Sequence, residues 1–307
     1  MNRVALRAEF DAGRLEKHEY GRRMGALHEA LADYQELIAR SDIESISIDS
    51  NGVVMKSRLA DARFRVDPLD RGIPPIVALN FGRYEAKDFA MVMELVRDDA
   101  TFVDAGANIG WYAVHVGVRF PGTRVVAFEP VPGSFAHLAA NVEINGLRNV
   151  TAVPAGLWDA GGEQVLFHDP TLAGAASISP SAPSASHLRA ACHMMKLDEY
   201  VAEHGLTVDF LKADVEGAEL RVLLGALATI EAGRPVIFAE MLRKHSAPFG
   251  YHPNAIIELL AERGYRCYRA ENRRLVGFPA MDEETVETNF FFLHTERHAA
   301  EIARLVG

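Results

Sequence analysis

Cysteine is scarce: Cys192 and Cys267 are the two present in 307 residues, too few and too far apart for a disulfide framework or a CxxC metal site. Free thiols in a reducing compartment are therefore expected. The chain also lacks an apolar run of the roughly 20 residues that a membrane span needs, and Met1 to Tyr20 is charged rather than signal-like. A cytoplasmic protein without a membrane span follows as the expectation. Positive charge is in deficit, 32 Lys and Arg against 42 Asp and Glu for a net −10. This argues against a chain whose task is to grip nucleic acid, because that affinity comes from neutralising phosphates. Apolar residues are not lacking: at 49% of the chain they suffice for a full core, and a disordered chain is excluded.

Against these absences one stretch stands out, Thr101-Phe-Val-Asp-Ala-Gly-Ala-Asn-Ile-Gly-Trp-Tyr112. Thr101 to Val103 read as a buried strand and Ile109 to Val118 as a helix, so the glycines fall on the strand-to-helix turn. There Gly106 lets a ligand approach the main chain, and Gly110 lets helix and strand pack closely. The stretch is not a dinucleotide loop, since GxGxxG wants glycine where Asp104 stands, and an acid would repel a pyrophosphate at the helix N-terminus. A cationic ligand without phosphate fits better. S-adenosylmethionine, with an ammonium and a sulfonium, is the expected cofactor. One strand later, Arg124 to Phe128 runs into Glu129-Pro130, about 20 residues past the glycines, where a carboxylate meets ribose hydroxyls. The cofactor set is thus Asp104, Gly106, Ala107, Asn108, Gly110, Glu129 and Pro130, with Trp158 and Asp159 at the end of the third strand. That acid could accept from the adenine amine, and that aromatic could stack on the ring.

Three blocks resemble the FkbM-type family of class I S-adenosylmethionine-dependent methyltransferases. They are Asp104-Ala-Gly-Ala-Asn-Ile-Gly110 with Tyr112, Ala127-Phe-Glu-Pro-Val-Pro132, and Leu211-Lys-Ala-Asp-Val-Glu-Gly-Ala-Glu219 followed by Val222-Leu-Leu-Gly225. The resemblance covers about 82–294, and Ala105 stands where the family often has Val. It implies a Rossmann-like α/β fold with a mostly parallel seven-stranded sheet, helices on both faces and a closing antiparallel hairpin, and it implies O-methylation of a sugar, glycan or secondary-metabolite hydroxyl.

Length and periodicity support an N-terminal helical and β-hairpin extension over 1–98 ahead of an α/β domain over 99–307, which the resemblance implies is the methyltransferase domain. Within 1–40 periodicity predicts one or two amphipathic helices, candidates for packing or self-association into a homo-oligomer. Alternation over 43–66 around Asn51-Gly52 predicts a β-hairpin, and 84–97 a helix. Strands are expected near 101–104, 124–129, 150–157, 209–214 and 235–240. Helices are expected near 108–119, 133–145, 197–204, 217–231 and 253–263, and further strands over 265–270 and 289–295. The segment 170–191, rich in Ala, Ser and Pro, reads as a long loop, either a disordered insertion or an ordered substrate lid.

Ligands of an open parallel sheet bind at the carboxyl ends of its strands. Asp214, Glu216, Glu240 and His245 are therefore the catalytic candidates, with Asp214 first for the cofactor's methyl end or the acceptor. Methyl transfer is an in-line displacement, and a hydroxyl acceptor needs a base or a metal to attack at neutral pH. A divalent ion such as Mg²⁺ would suit the carboxylates, although no metal motif of fixed spacing is present. Each acid could equally cap a helix or pair with Lys212 or Arg243. An N-methyltransferase acting on an amino sugar or peptide amide, and a non-catalytic cofactor-binding scaffold, remain as alternatives.

Overall fold

The computed structural model describes residues 3–169, 172–177 and 188–307. Three helices lead, α1 Arg3–Asp11, α2 Lys17–His28 and α3 Ala30–Ala39, where one or two were expected. The predicted hairpin is present as β1 Ile43–Asp49 and β2 Gly52–Ser57, and a third strand, β3 Arg63–Val66, extends it to an antiparallel meander. Phe64 and Val66 explain the addition, because both are buried and need a covered face. Helices α4 Pro74–Phe81 and α5 Ala86–Leu95 then lead into the main sheet.

That sheet alternates with helices as expected. After β4 Thr101–Ala105 come α6 Trp111–Arg119, β5 Arg124–Phe128, α7 Pro132–Ile144 and β6 Val150–Val153. The predicted strand over 150–157 is divided: Pro154 cannot donate to a ladder, and β7 Gly156–Leu157 belongs to a second, smaller sheet with β8 Gly162–Asp169, β9 Leu172–Ser177 and β10 Leu188–Met195. Here the sequence reading needs correction. Of the segment expected to be a loop, 172–177 and 188–191 are strand, while 170–171 and 178–187 lie outside the described residues.

Helix α8 Leu197–His204 precedes β11 Phe210–Ala213. The helix predicted over 217–231 is two, α9 Glu219–Leu224 and α10 Leu227–Gly233. They separate at Gly225, where any Cβ would collide with the Trp158 carbonyl. Asp198 then caps the new helix, accepting from the amides of Ala228 and Thr229 at 3.0 and 2.7 Å. The chain finishes with β12 Val236–Glu240, α11 Arg243–Ser246, α12 Asn254–Ala261, β13 Tyr265–Glu271, β14 Arg274–Gly277, β15 Asn289–His294 and α13 Ala299–Leu305.

The main sheet runs β14-β13-β15-β12-β11-β4-β5-β6. Its last five members in that order pair in parallel, and β15, β13 and β14 pair antiparallel. The expected seven strands are present, and short β14 adds an eighth at the edge. Apolar side chains fill both faces, Phe102, Phe210, Phe238 and Phe291 on one and Val103, Leu211, Ile237 and Phe292 on the other, as the period of two requires. The meander joins the first of these layers through Ile43, Met55 and Phe64. Strand order reverses at β4, and the crevice at such a reversal is where open α/β sheets take ligands.

Candidate active site

The loop after β4 uses its own amides. Those of Gly106 and Ala107 donate to the Phe128 carbonyl at 3.1 and 2.9 Å, and that of Gly110 to the Ala107 carbonyl at 2.8 Å. Asn108, held at a left-handed φ of 51°, donates its amide to Glu129 Oε2 at 2.8 Å. None of these four is free to cradle a phosphate, which agrees with the exclusion of a dinucleotide drawn from Asp104. The glycines serve packing more directly than expected. A Cβ on Gly106 would strike the Asp214 carbonyl, and one on Gly110 would come within 2.7 Å of Leu138 on α7.

Glu129 is buried at the end of β5, each carboxylate oxygen accepting one amide, Asn108 at 2.8 Å and Val131 at 2.8 Å. Burial pushes its pKa up to about 7, against those two hydrogen bonds. Asp104 departs from its expected role. It is 1% exposed, pairs with Lys212 Nζ at 3.0 Å, and is not among the residues that line the cleft. Its charge is consumed inside the sheet, because the register sets Asp104 directly opposite Lys212. Burial alone would push the Lys212 ammonium down. Asp104 and Asp214, the latter 3.4 Å away, outweigh that and hold it above the ordinary lysine value.

The cleft is lined by Gly106, Ala107, Asn108, Glu129 and Pro130 from the cofactor set, and by Asp214, Glu216 and Glu240 from the catalytic set. Trp158 lines it too, with its ring 6.0 Å from Phe249. Asp159 does not: its carboxylate pairs with Arg221 at 2.8 Å, away from the lining. His245 Nδ1 stands behind the acids, 3.1 Å from Glu216 Oε2 and 3.7 Å from Glu240 Oε2. Glu216 sits at a φ of 55°, and Gly217 permits the close approach, since a Cβ there would collide with the His245 carbonyl. Burial, then Glu240 and Asp214, push the Glu216 pKa up to about 8, and Glu240 is held well above the carboxylate range by burial and Asp214. His252 is spent as a cap, its Nδ1 accepting the Asn254 amide at 3.2 Å.

Several cleft residues escaped the sequence reading. Tyr84, Leu166, Met194 and Phe249 line it; Leu166 and Met194 come from the small sheet, which periodicity did not reveal. Glu85 supports it from behind, accepting from Tyr112 Oη at 2.7 Å and Asn289 Nδ2 at 3.0 Å. One signal was available: Lys212 is a lone cation inside the buried strand Phe210-Leu-Lys-Ala213, and a buried lysine requires a buried acid.

Residues 104–267 match the family described as Methyltransferase FkbM domain. The chain belongs to that family. The match runs from Asp104 to Cys267 and so takes in every cofactor and catalytic candidate named above, making this the domain of an S-adenosylmethionine-dependent methyltransferase. Among relatives, the chain is 28% identical to the AMB antimetabolite synthetase AmbE of Pseudomonas aeruginosa over 55% of its length and 10% of AmbE. It is 30% identical to Methyltransferase sdnD of Sordaria araneosa over 54% of its length and 74% of sdnD. It is also 29% identical to the 31-O-demethyl-FK506 methyltransferase FkbM of Streptomyces tacrolimicus, over 43% of its length and 61% of that protein. The chain thus spans a tenth of the first of these and under two thirds of the third. Among the described residues of this FkbM-type chain, no helix is long and apolar enough to cross a membrane.

Proposed function

We propose that the protein transfers a methyl group from S-adenosylmethionine to a hydroxyl oxygen of a neutral sugar, glycan or secondary-metabolite scaffold. The carrying observation is that Asp214, Glu216 and Glu240 line the same cleft as Glu129 and Asn108, so a proton acceptor and a ribose acceptor face one space. The cofactor fits the residues present: Asn108 Oδ1 and Trp111 Nε1 are buried without protein partners on residues that line the cleft. Glu129 and Asn108 would hold the ribose end, Trp158 the adenine, and Asp214 the cationic end. When bound, the cofactor supplies an electrophilic methyl group on a sulfonium.

The chain's own part is to orient the acceptor and remove its proton. Glu216 and Glu240 line the cleft with His245 behind them, and this set would take the proton, directly or through an ion it holds. Among the described residues Lys212 is the lone Lys or Arg of the lining, and it is engaged by Asp104 and Asp214. The described lining therefore offers no free lysine or arginine to a phosphorylated or carboxylated acceptor. The name of the Streptomyces relative also refers to an O-methyl position. Self-association through α3, whose Leu31, Tyr34 and Leu37 are exposed, and a cytoplasmic location belong to the same reading.

The test is transfer of a ¹³C-labelled methyl group from the cofactor to a panel of glycosides, nucleotide sugars and hydroxylated metabolites. A product carbon at the O-methyl shift supports the reading. Uptake confined to amino sugars or amides, with an N-methyl shift, replaces it with nitrogen transfer.

A further inference from the structure

Glu216, Glu240 and His245 reach one point from three segments: the loop after β11, the final residue of β12, and α11. One nitrogen or oxygen from each lies within 4.8 Å of the others. His245 Nδ1 approaches both carboxylates, at 3.1 and 3.7 Å, yet neither approach is a hydrogen bond. Nδ1 and Glu240 Oε2 are both buried and both without a hydrogen-bond partner. An ion pair would be expected to turn the ring N–H toward an oxygen. Here the polar atoms instead surround a shared space, as neighbouring ligands of one ion do. Two ligands at right angles about 2.1 Å from a metal are themselves about 3 Å apart.

We infer that Glu216, Glu240 and His245 form a binding site for one divalent metal ion, held by the two carboxylates and Nδ1 with its remaining positions open to the cleft. The charge balance supports a cation there. Among the described residues the salt bridges of Glu216 and Glu240 are to His245 alone, and Lys212 is occupied by Asp104 and Asp214. The donor set selects the class. Imidazole with carboxylate suits Mn²⁺, Fe²⁺ or Zn²⁺ better than Ca²⁺, which prefers oxygen alone. Three protein ligands leave room for water or for an acceptor oxygen. Gly217 is the device that builds the site, because only a residue without Cβ lets Glu216 meet His245.

The site does not depend on the identity of the acceptor, so binding is read without methyl transfer. Full-length protein, stripped with EDTA and dialysed, is titrated with Mn²⁺ while free ion is followed by electron paramagnetic resonance and water relaxation is recorded. One Mn²⁺ per chain is expected, with enhanced water relaxation from the open positions and displacement by Zn²⁺. Glu240→Gln and His245→Ala should each weaken binding about tenfold or more while circular dichroism stays unchanged, and the exposed control Glu231→Gln should bind as wild type. Should either variant unfold, the wild-type titration and the remaining variant still decide. Absence of stoichiometric binding by folded wild type up to about 1 mM Mn²⁺, or unchanged affinity in folded Glu240→Gln and His245→Ala, overturns the inference. Calorimetry with S-adenosylmethionine on the same samples separates the two readings: cofactor binding without metal binding removes the metal site alone.

Discussion

Lys212 Nζ lies 3.0 Å from Asp104 Oδ1, with side chains 3% and 1% exposed, on directly paired residues of β11 and β4. An ion pair at that depth, at the carboxyl ends of the two strands that frame the crevice, fixes the frame of the loop after β4, and Asp104 is not among the residues that line the cleft. Asp104→Ala leaves a buried ammonium with Asp214 as its remaining ion-pair partner. Removing one member of such a pair costs about 3–5 kcal/mol, so the variant should show a large fall in the urea midpoint. A folded variant that is selectively weak for S-adenosylmethionine at unchanged stability would instead put Asp104 in the binding site.

Glu129 is expected to act on affinity. Glu129→Ala leaves two backbone amides, of Asn108 and Val131, without their acceptor, and removes the proposed ribose partner. The loss of cofactor binding should be about 1.5–3 kcal/mol by calorimetry, and Glu129→Gln should lose less. Wild-type affinity in a folded alanine variant would show that the carboxylate serves only the loop.

Gly217→Ala should separate chemistry from binding. The new Cβ meets the His245 carbonyl at a residue whose φ is 100°, which moves Glu216 from His245 without disturbing Glu129. Turnover should fall at least about tenfold while cofactor affinity stays within about twofold. Equal losses in both would place the loop in the cofactor site.

His115 supplies the pH dependence. Its Nδ1 lies 2.7 Å from the Trp111 carbonyl and its Nε2 2.9 Å from Ser57 Oγ. The carbonyl can only accept, so Nδ1 carries the proton and Nε2 accepts from the serine. Burial pushes its pKa down to about 4 from 6.5, so between those values the unfolded chain binds more protons than the folded one. Its contribution to stability is therefore complete above pH 6.5 and is lost as the pH falls toward 4, by up to about 3 kcal/mol. The His115 ring proton in NMR should not move between pH 8 and 5.5, and a shift midpoint near 6.5 would refute the buried neutral form.

Much of this was legible from local pattern. The turn after β4, the acid ending β5 and the acids ending β11 and β12 were placed by strand periodicity, because in a parallel sheet a strand's end determines which space its last residue meets. What was missed depends on partners distant in sequence. Asp104 was read as facing a ligand because nothing local reveals Lys212, 108 residues on, across the register. Glu85 was not singled out because its partner Asn289 lies on β15, 204 residues on. The small sheet was missed because the Ala and Ser content of 172–177 carries no apolar alternation, although backbone pairing needs none.

The order of the main sheet has a consequence for synthesis. Among the described strands of this sheet β15 comes last in chain order, yet it lies between β13 and β12. Until 289–294 leave the ribosome, β12, which ends in Glu240, keeps one row of amides and carbonyls unpaired, and β13 with β14 has no neighbour on its inner side. Such open edges invite pairing with other chains. Between the synthesis of residues 240 and 294, the strand that ends in Glu240 therefore keeps an edge open to pairing with other chains, and closure of the sheet competes with that pairing.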